Sequence, residues 1–114
     1  MKLLDAIQSA LEERWSIESS SKWTKENPAK GQCSVSAVVV YQYFGGEILK
    51  TKVDGSWHFY NKVNGRKFDF TSEQFENEIE YSDIHSSVEE AEKDCNPNQI
   101  GTLMKTFGLK LKKF

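Results

Sequence analysis

Gly31-Gln32-Cys33-Ser34-Val35-Ser36-Ala37-Val38-Val39-Val40-Tyr41-Gln42-Tyr43-Phe44-Gly45-Gly46 is where the chain changes character. The polar, turn-forming residues of Ser16–Lys30 give way to a run of small and apolar ones. Its β-branched content favours a strand. Its length and the Gly-Gly stop at the C′ position favour a helix. Apolar residues fall on almost every face, so the reading is a buried helix with Cys33 in its first turn.

After Gly46 the period drops to two. Glu47–Val53, Ser56–Val63 and Arg66–Phe70 read as strands, joined by Asp54-Gly55 and Asn64-Gly65, the strongest short hairpin signals. In the second strand His58, Tyr60 and Lys62 share one face, and Trp57, Phe59, Asn61 and Val63 the other. Upstream, Leu4, Ile7, Leu11 and Trp15 form one helical stripe. Trp23 is expected to pin the polar loop that follows. Downstream, Thr71-Ser72-Glu73-Gln74 matches a capping box, predicting a short helix that carries Phe75 and Ile79. Pro97 opens a last helix with Ile100, Leu103, Met104 and Phe107 on its apolar face, and Gly108 is expected to end it. The fold class is therefore α+β: a Cys-bearing helix packed on a small antiparallel sheet, with flanking helices at both termini.

The 114 residues suit one domain, 1–114. Three Trp, four Tyr and seven Phe exclude a disordered chain. A formal net charge of −2 gives no basic footprint for nucleic acid. No apolar run approaches the length of a membrane span, and an acidic polar face on the first helix does not suit a membrane surface. Asp5, Glu12 and Glu13 do not suit a secretory signal, so a cytoplasmic protein is expected. Residues 72–94 carry nine acids against Lys93 alone, whereas 100–114 carry four lysines and no acid. Both read as solvated faces.

Cys33 stands at a helix N-terminus, where unsatisfied N–H groups and the helix dipole favour a thiolate and could serve an oxyanion. Reflection about Asn64-Gly65 places His58 opposite position 71, with Asp69 a diagonal neighbour within reach of a His–carboxylate bond. The carboxylate would orient the imidazole, and the imidazole would hold the thiolate. Gln32 either donates to an oxyanion or closes the loop. Asn61 falls on the face away from His58 unless the strand bulges. Trp57 and Tyr60 could wall a pocket or pack in the core. Each residue also has a plain reading: a buried small hydrophobe for Cys33, a structural histidine for His58, a helix-start acceptor for Asp69.

The order Cys on a helix, His on a strand and Asp on the next strand resembles the minimal core of papain-like and transglutaminase-like cysteine enzymes. A closer resemblance lies in Asn27-Pro28-Ala29-Lys30-Gly31-Gln32-Cys33, Phe44-Gly45-Gly46-Glu47-Ile48-Leu49, His58-Phe59-Tyr60-Asn61 and Asp69-Phe70-Thr71 followed by Gln74-Phe75. As a set these are similar to the motifs of the small bacterial YunG family, over residues 15–75. The resemblance implies that Gln32, Cys33, His58, Asn61 and Asp69 belong to that family's recurring motifs, which supports a shared site and names no reaction.

Two functions follow as expectations. One is a cysteine hydrolase or acyltransferase acting on an amide or ester, with Cys33 as nucleophile, His58 as base, Asp69 as orienter and Gln32 as a candidate oxyanion donor. The other is a non-catalytic module that binds a small molecule or peptide in the same cleft. Neither needs a cofactor. Cys33, Cys95, His58 and His85 lack the spacing of a metal site. Cys95, in the polar Asp94-Cys95-Asn96-Pro97 turn, is expected to be exposed and ordinary.

Overall fold

The structure, a computed structural model, describes residues 2–16, 18–27, 29 and 31–111. The side chains of Leu4, Asp5, Glu73 and Lys110, and all of Pro28, Lys30, Lys112 and Lys113, lie outside the described residues. The elements run α1 (Lys2–Arg14), α2 (Cys33–Phe44), β1 (Glu47–Val53), β2 (Ser56–Val63), β3 (Arg66–Phe68), a 3-10 turn (Ser72–Gln74), β4 (Ile84–His85), α3 (Val88–Glu92) and α4 (Pro97–Leu111). The sheet is antiparallel with strand order β3-β2-β1-β4.

Helix α2 is the axis of the fold. Every residue from Cys33 to Val40 is buried, which overrides the weak helix propensity of its valines. One side of it (Val35, Val39, Val40) packs with Ile7, Ala10 and Leu11 of α1 and Leu103 and Phe107 of α4. The other (Cys33, Ala37, Val38) packs on Ile48 and Phe59 of the sheet and Ala91 of α3. Each valine so buried contributes about 1.5–3 kcal/mol. The Trp15 indole Nε1 donates to Ser36 Oγ at 2.8 Å, fixing the exit of α1 to α2.

Both hairpin turns take positive φ at both central residues, Asp54 and Gly55, Asn64 and Gly65, which matches the twist of the strands. The sheet's two faces differ. Ile48, Phe59 and Asn61 face α2, and the Asn61 amide donates to the Ala37 carbonyl at 3.0 Å. Thr51 pairs with His58 and Leu49 with Tyr60 on the other face. That face is covered by the irregular segment 75–83. The segment is anchored by Thr51 Oγ1 to the Glu80 carbonyl (2.7 Å), Ser82 N–H to Thr51 Oγ1 (3.0 Å) and Tyr60 Oη to Asp83 Oδ1 (2.6 Å).

The structure corrects three expectations. The third strand ends at Phe68 instead of Phe70, because Asp69 turns out of the ladder to accept hydrogen bonds from its own chain. The capping box at Thr71 does not open a helix. Thr71 N–H and Oγ1 both bond Asp69 Oδ1 (3.1 and 3.3 Å), so only a 3-10 turn forms and Phe75 is extended. Gly108 does not end α4, which continues to Leu111. A Cβ there would lie 2.1 Å from Tyr43 Oη, so this glycine serves close packing of α4 on α2. The acidic stretch, mostly exposed as a solvated face, also contains β4 and α3. Ser87 caps α3 by accepting from Glu90 N–H, and Ser87-x-x-Glu90 is itself a capping-box pattern.

Gly46 carries φ +84°, and a Cβ there would meet the Lys62 carbonyl oxygen at 2.2 Å. Both obstacles are backbone. Gly46→Ala is therefore expected to cost about 2–4 kcal/mol, read as a fall in the chemical-denaturation midpoint. A loss under about 0.5 kcal/mol would show that β1 and β2 need not approach so closely.

Candidate active site

Among the described residues strand β3 pairs only with Asn61–Val63, and His58 has no strand neighbour on that side. Asp69 lies just past the end of β3. His58 Nε2 and Asp69 Oδ2 are 2.6 Å apart, with both side chains buried at 1% and 8% exposure. The diagonal contact expected from the hairpin register is thus formed. Phe75 meets the imidazole edge-on at 5.1 Å, and Tyr60 stacks beside it at 6.3 Å.

The other ring nitrogen, Nδ1, is buried and has no hydrogen-bond partner among the described residues. Cys33 lines the same cavity as His58, a hollow of about 630 Å³. Burial opposes a charge on His58. The Asp69 hydrogen bond, the Cys33 thiol and the charges of both outweigh it and raise the imidazole pKa from 6.5 to about 9. A protonated ring sits between two acidic groups.

The four proposed site residues separate here. Cys33, His58 and Asp69 come together. Gln32 does not join them: its Oε1 accepts from Ser19 Oγ at 2.8 Å, and its Nε2 points to the Ser16 carbonyl at 3.4 Å. The amide closes the 16–20 loop, and the donors beside the sulfur are the backbone N–H groups of the first turn of α2. Asn61 lies on the α2 face, as a regular strand requires. Trp57 lines the cavity and is half exposed, under the ammonium groups of Lys50 and Lys52. Tyr60 is buried away from the cavity.

Two neighbours were given no site role from the sequence, and a third, Cys95, was placed wrongly. Tyr81 Oη donates to Asp69 Oδ2 at 2.7 Å, the same oxygen that binds His58. Burial and this carboxylate push the Tyr81 phenol up, so it stays a donor. The sequence holds no signal for that contact. Gln74 accepts from Gly31 N–H at 3.3 Å and lines the cavity; its place in the stretch that resembles the family motif was the available hint. Cys95 is half-buried, not exposed, and it too lines the cavity. Burial pushes its thiol up to about 11. His85 lies elsewhere, on β4 beside Glu47 at 3.1 Å. Among the described residues no helix is long and apolar enough to cross a membrane.

The family model described as YunG protein matches residues 3–112 of the chain. A curated relative, the Uncharacterized protein YunG of Bacillus subtilis (strain 168), is 52% identical over 104 residues, covering 91% of this chain and 90% of the relative. No solved structure matches.

Proposed function

The chain belongs to the YunG family, and from that premise we propose that it is a cysteine-dependent hydrolase or acyltransferase acting on an amide or ester. Cys33 is the nucleophile, His58 the proton carrier and Asp69 the orienter of the ring. The observation that carries this reading is the buried His58 Nε2–Asp69 Oδ2 contact of 2.6 Å, which leaves Nδ1 for the thiol. The chain order and the helix-on-sheet core resemble papain-like and transglutaminase-like enzymes, and the reading extends that resemblance to chemistry.

The Cys33 sulfur adds to the substrate carbonyl carbon. The oxyanion that forms is met by N–H groups at the start of α2. His58 gives its proton to the departing amine or alcohol, leaving a thioester on Cys33. Water, or an acceptor amine or alcohol, then attacks the thioester while His58 takes its proton. Asp69 keeps Nε2 bonded throughout, so the tautomer and ring angle are fixed.

A nitrophenyl acetate burst tests this without knowledge of the natural substrate. One equivalent of nitrophenolate and one acetyl group on Cys33 are expected. Cys33→Ala should abolish both, and His58→Ala should slow the burst by about 10²–10⁴-fold. Acetylation that persists in His58→Ala at the native rate, or that falls equally on Cys95, would overturn the assignment.

A further inference from the structure

The cavity holds two thiols. Cys95 comes from the turn between α3 and α4, and its Sγ donates to the Ala91 carbonyl at 3.5 Å. Ser34, next to Cys33, reaches the Asp94 carbonyl, next to Cys95, at 3.5 Å. That contact ties the first turn of α2 to the turn that carries the second thiol. Both cysteines are free, and both line the hollow that contains His58.

We propose that Cys95 is the resolving partner of Cys33: a hydroperoxide entering the cavity converts the two thiols to an intramolecular disulfide, which closes the nucleophilic site until a thiol reductant reopens it. This rests on the reading of Cys33 as a nucleophile paired with His58. The Cys33 sulfur attacks the outer oxygen of the hydroperoxide. The O–O bond breaks, the sulfur becomes a sulfenic acid, and the alcohol or water that leaves takes its proton from His58. Cys95 then attacks that sulfur. The S–S bond forms, the S–O bond breaks, and the hydroxyl leaves as water with the Cys95 proton. Two thiols are oxidised and one peroxide is reduced, a two-electron balance.

The order of events follows from the two environments. Burial keeps the Cys95 thiol protonated, so it is a poor first target for peroxide. Cys33 has the imidazole beside it. Lys93, Asp94 and Asn96 are exposed, so bringing the sulfurs to bonding distance moves chiefly a surface turn, at the cost of the Cys95 contact with the Ala91 carbonyl. The bond would also spare Cys33 from irreversible oxidation to the sulfinic acid.

The test treats the full chain with hydrogen peroxide, blocks remaining thiols with N-ethylmaleimide and maps peptides by mass. The expected result is a loss of two hydrogens, a linked Cys33–Cys95 peptide and full reversal by dithiothreitol. In Cys95→Ser, Cys33 should instead be trapped by dimedone as the sulfenic acid and advance to the sulfinic acid with excess peroxide. A native chain whose Cys33 reaches the sulfinic acid while Cys95 takes the maleimide would overturn the proposal, as would disulfides only between chains. Iodoacetamide run in parallel separates the failures. If Cys33 alkylates near pH 6 but no internal disulfide forms, the resolving role alone is wrong. If Cys33 ignores both reagents in the folded chain, the Cys33–His58 pairing is wrong as well.

Discussion

Alkylation of Cys33 by iodoacetamide is expected at about pH 6, where a free thiol with a pKa of about 8.5 carries under about 1% thiolate. The His58 imidazole is held protonated up to about pH 9 by Asp69 and by Cys33 itself, so a positive charge faces the sulfur throughout the neutral range. Removing it in His58→Ala should cut the rate at about pH 6 by roughly two orders of magnitude, the ratio of a paired thiolate to a free thiol. Cys95 in the same sample is the silent reference, because burial pushes its thiol up to about 11. Mass spectrometry resolves the two sites. Cys33 that reacts only after unfolding, or whose pH profile runs with that of Cys95, would make it a core residue, and the cavity would then be a binding site.

The second large effect is on stability. The folded pKa of His58, about 9, lies above the 6.5 of the free imidazole. The folded state therefore holds a proton that the unfolded chain has released between these two values. The stabilisation is fully present below about pH 6.5 and is lost as pH rises through about 9. Its size is on the order of 3 kcal/mol. Chemical denaturation at intervals across that window should show the unfolding free energy falling with pH. Asp69→Asn removes the carboxylate that raises the pKa most, so it should flatten the slope and lower the stability at about pH 6 more than at about pH 9. A native profile that is level across the window would contradict the charged His58–Asp69 pair.

Much of this architecture was written in local patterns. The helix with its Gly-Gly stop, the two hairpins and their register follow from burial period and from turns that need positive φ. The register alone brings His58 to Asp69. What the sequence hid depends on choices between competing acceptors. Thr71 looks like a helix cap, yet its donors are taken by Asp69, and the predicted helix is lost. Gln32 looks placed for an oxyanion, yet its amide is spent on Ser16 and Ser19. Gly108 looks like a stop and is a contact with Tyr43. Tyr81 and Cys95 reach the site through segments without periodicity, so no pattern announces them.

The covering of His58 and Asp69 by residues 75–83 has a kinetic consequence. That segment has no strand ladder; side chains of Thr51, Tyr60 and Asp69 hold it at its far end. Segments so attached detach locally at lower free energy than the whole domain. Hydrogen exchange should therefore find the Ser82 and Asp83 amides opening as a sub-global unit, well before the amides of α2. Asp69 would lose Tyr81 and meet bulk water in that opened form, while the backbone of the sheet stayed intact. Under the proposed chemistry, inactivation by mild heat or denaturant would then precede unfolding, as two separate transitions rather than one.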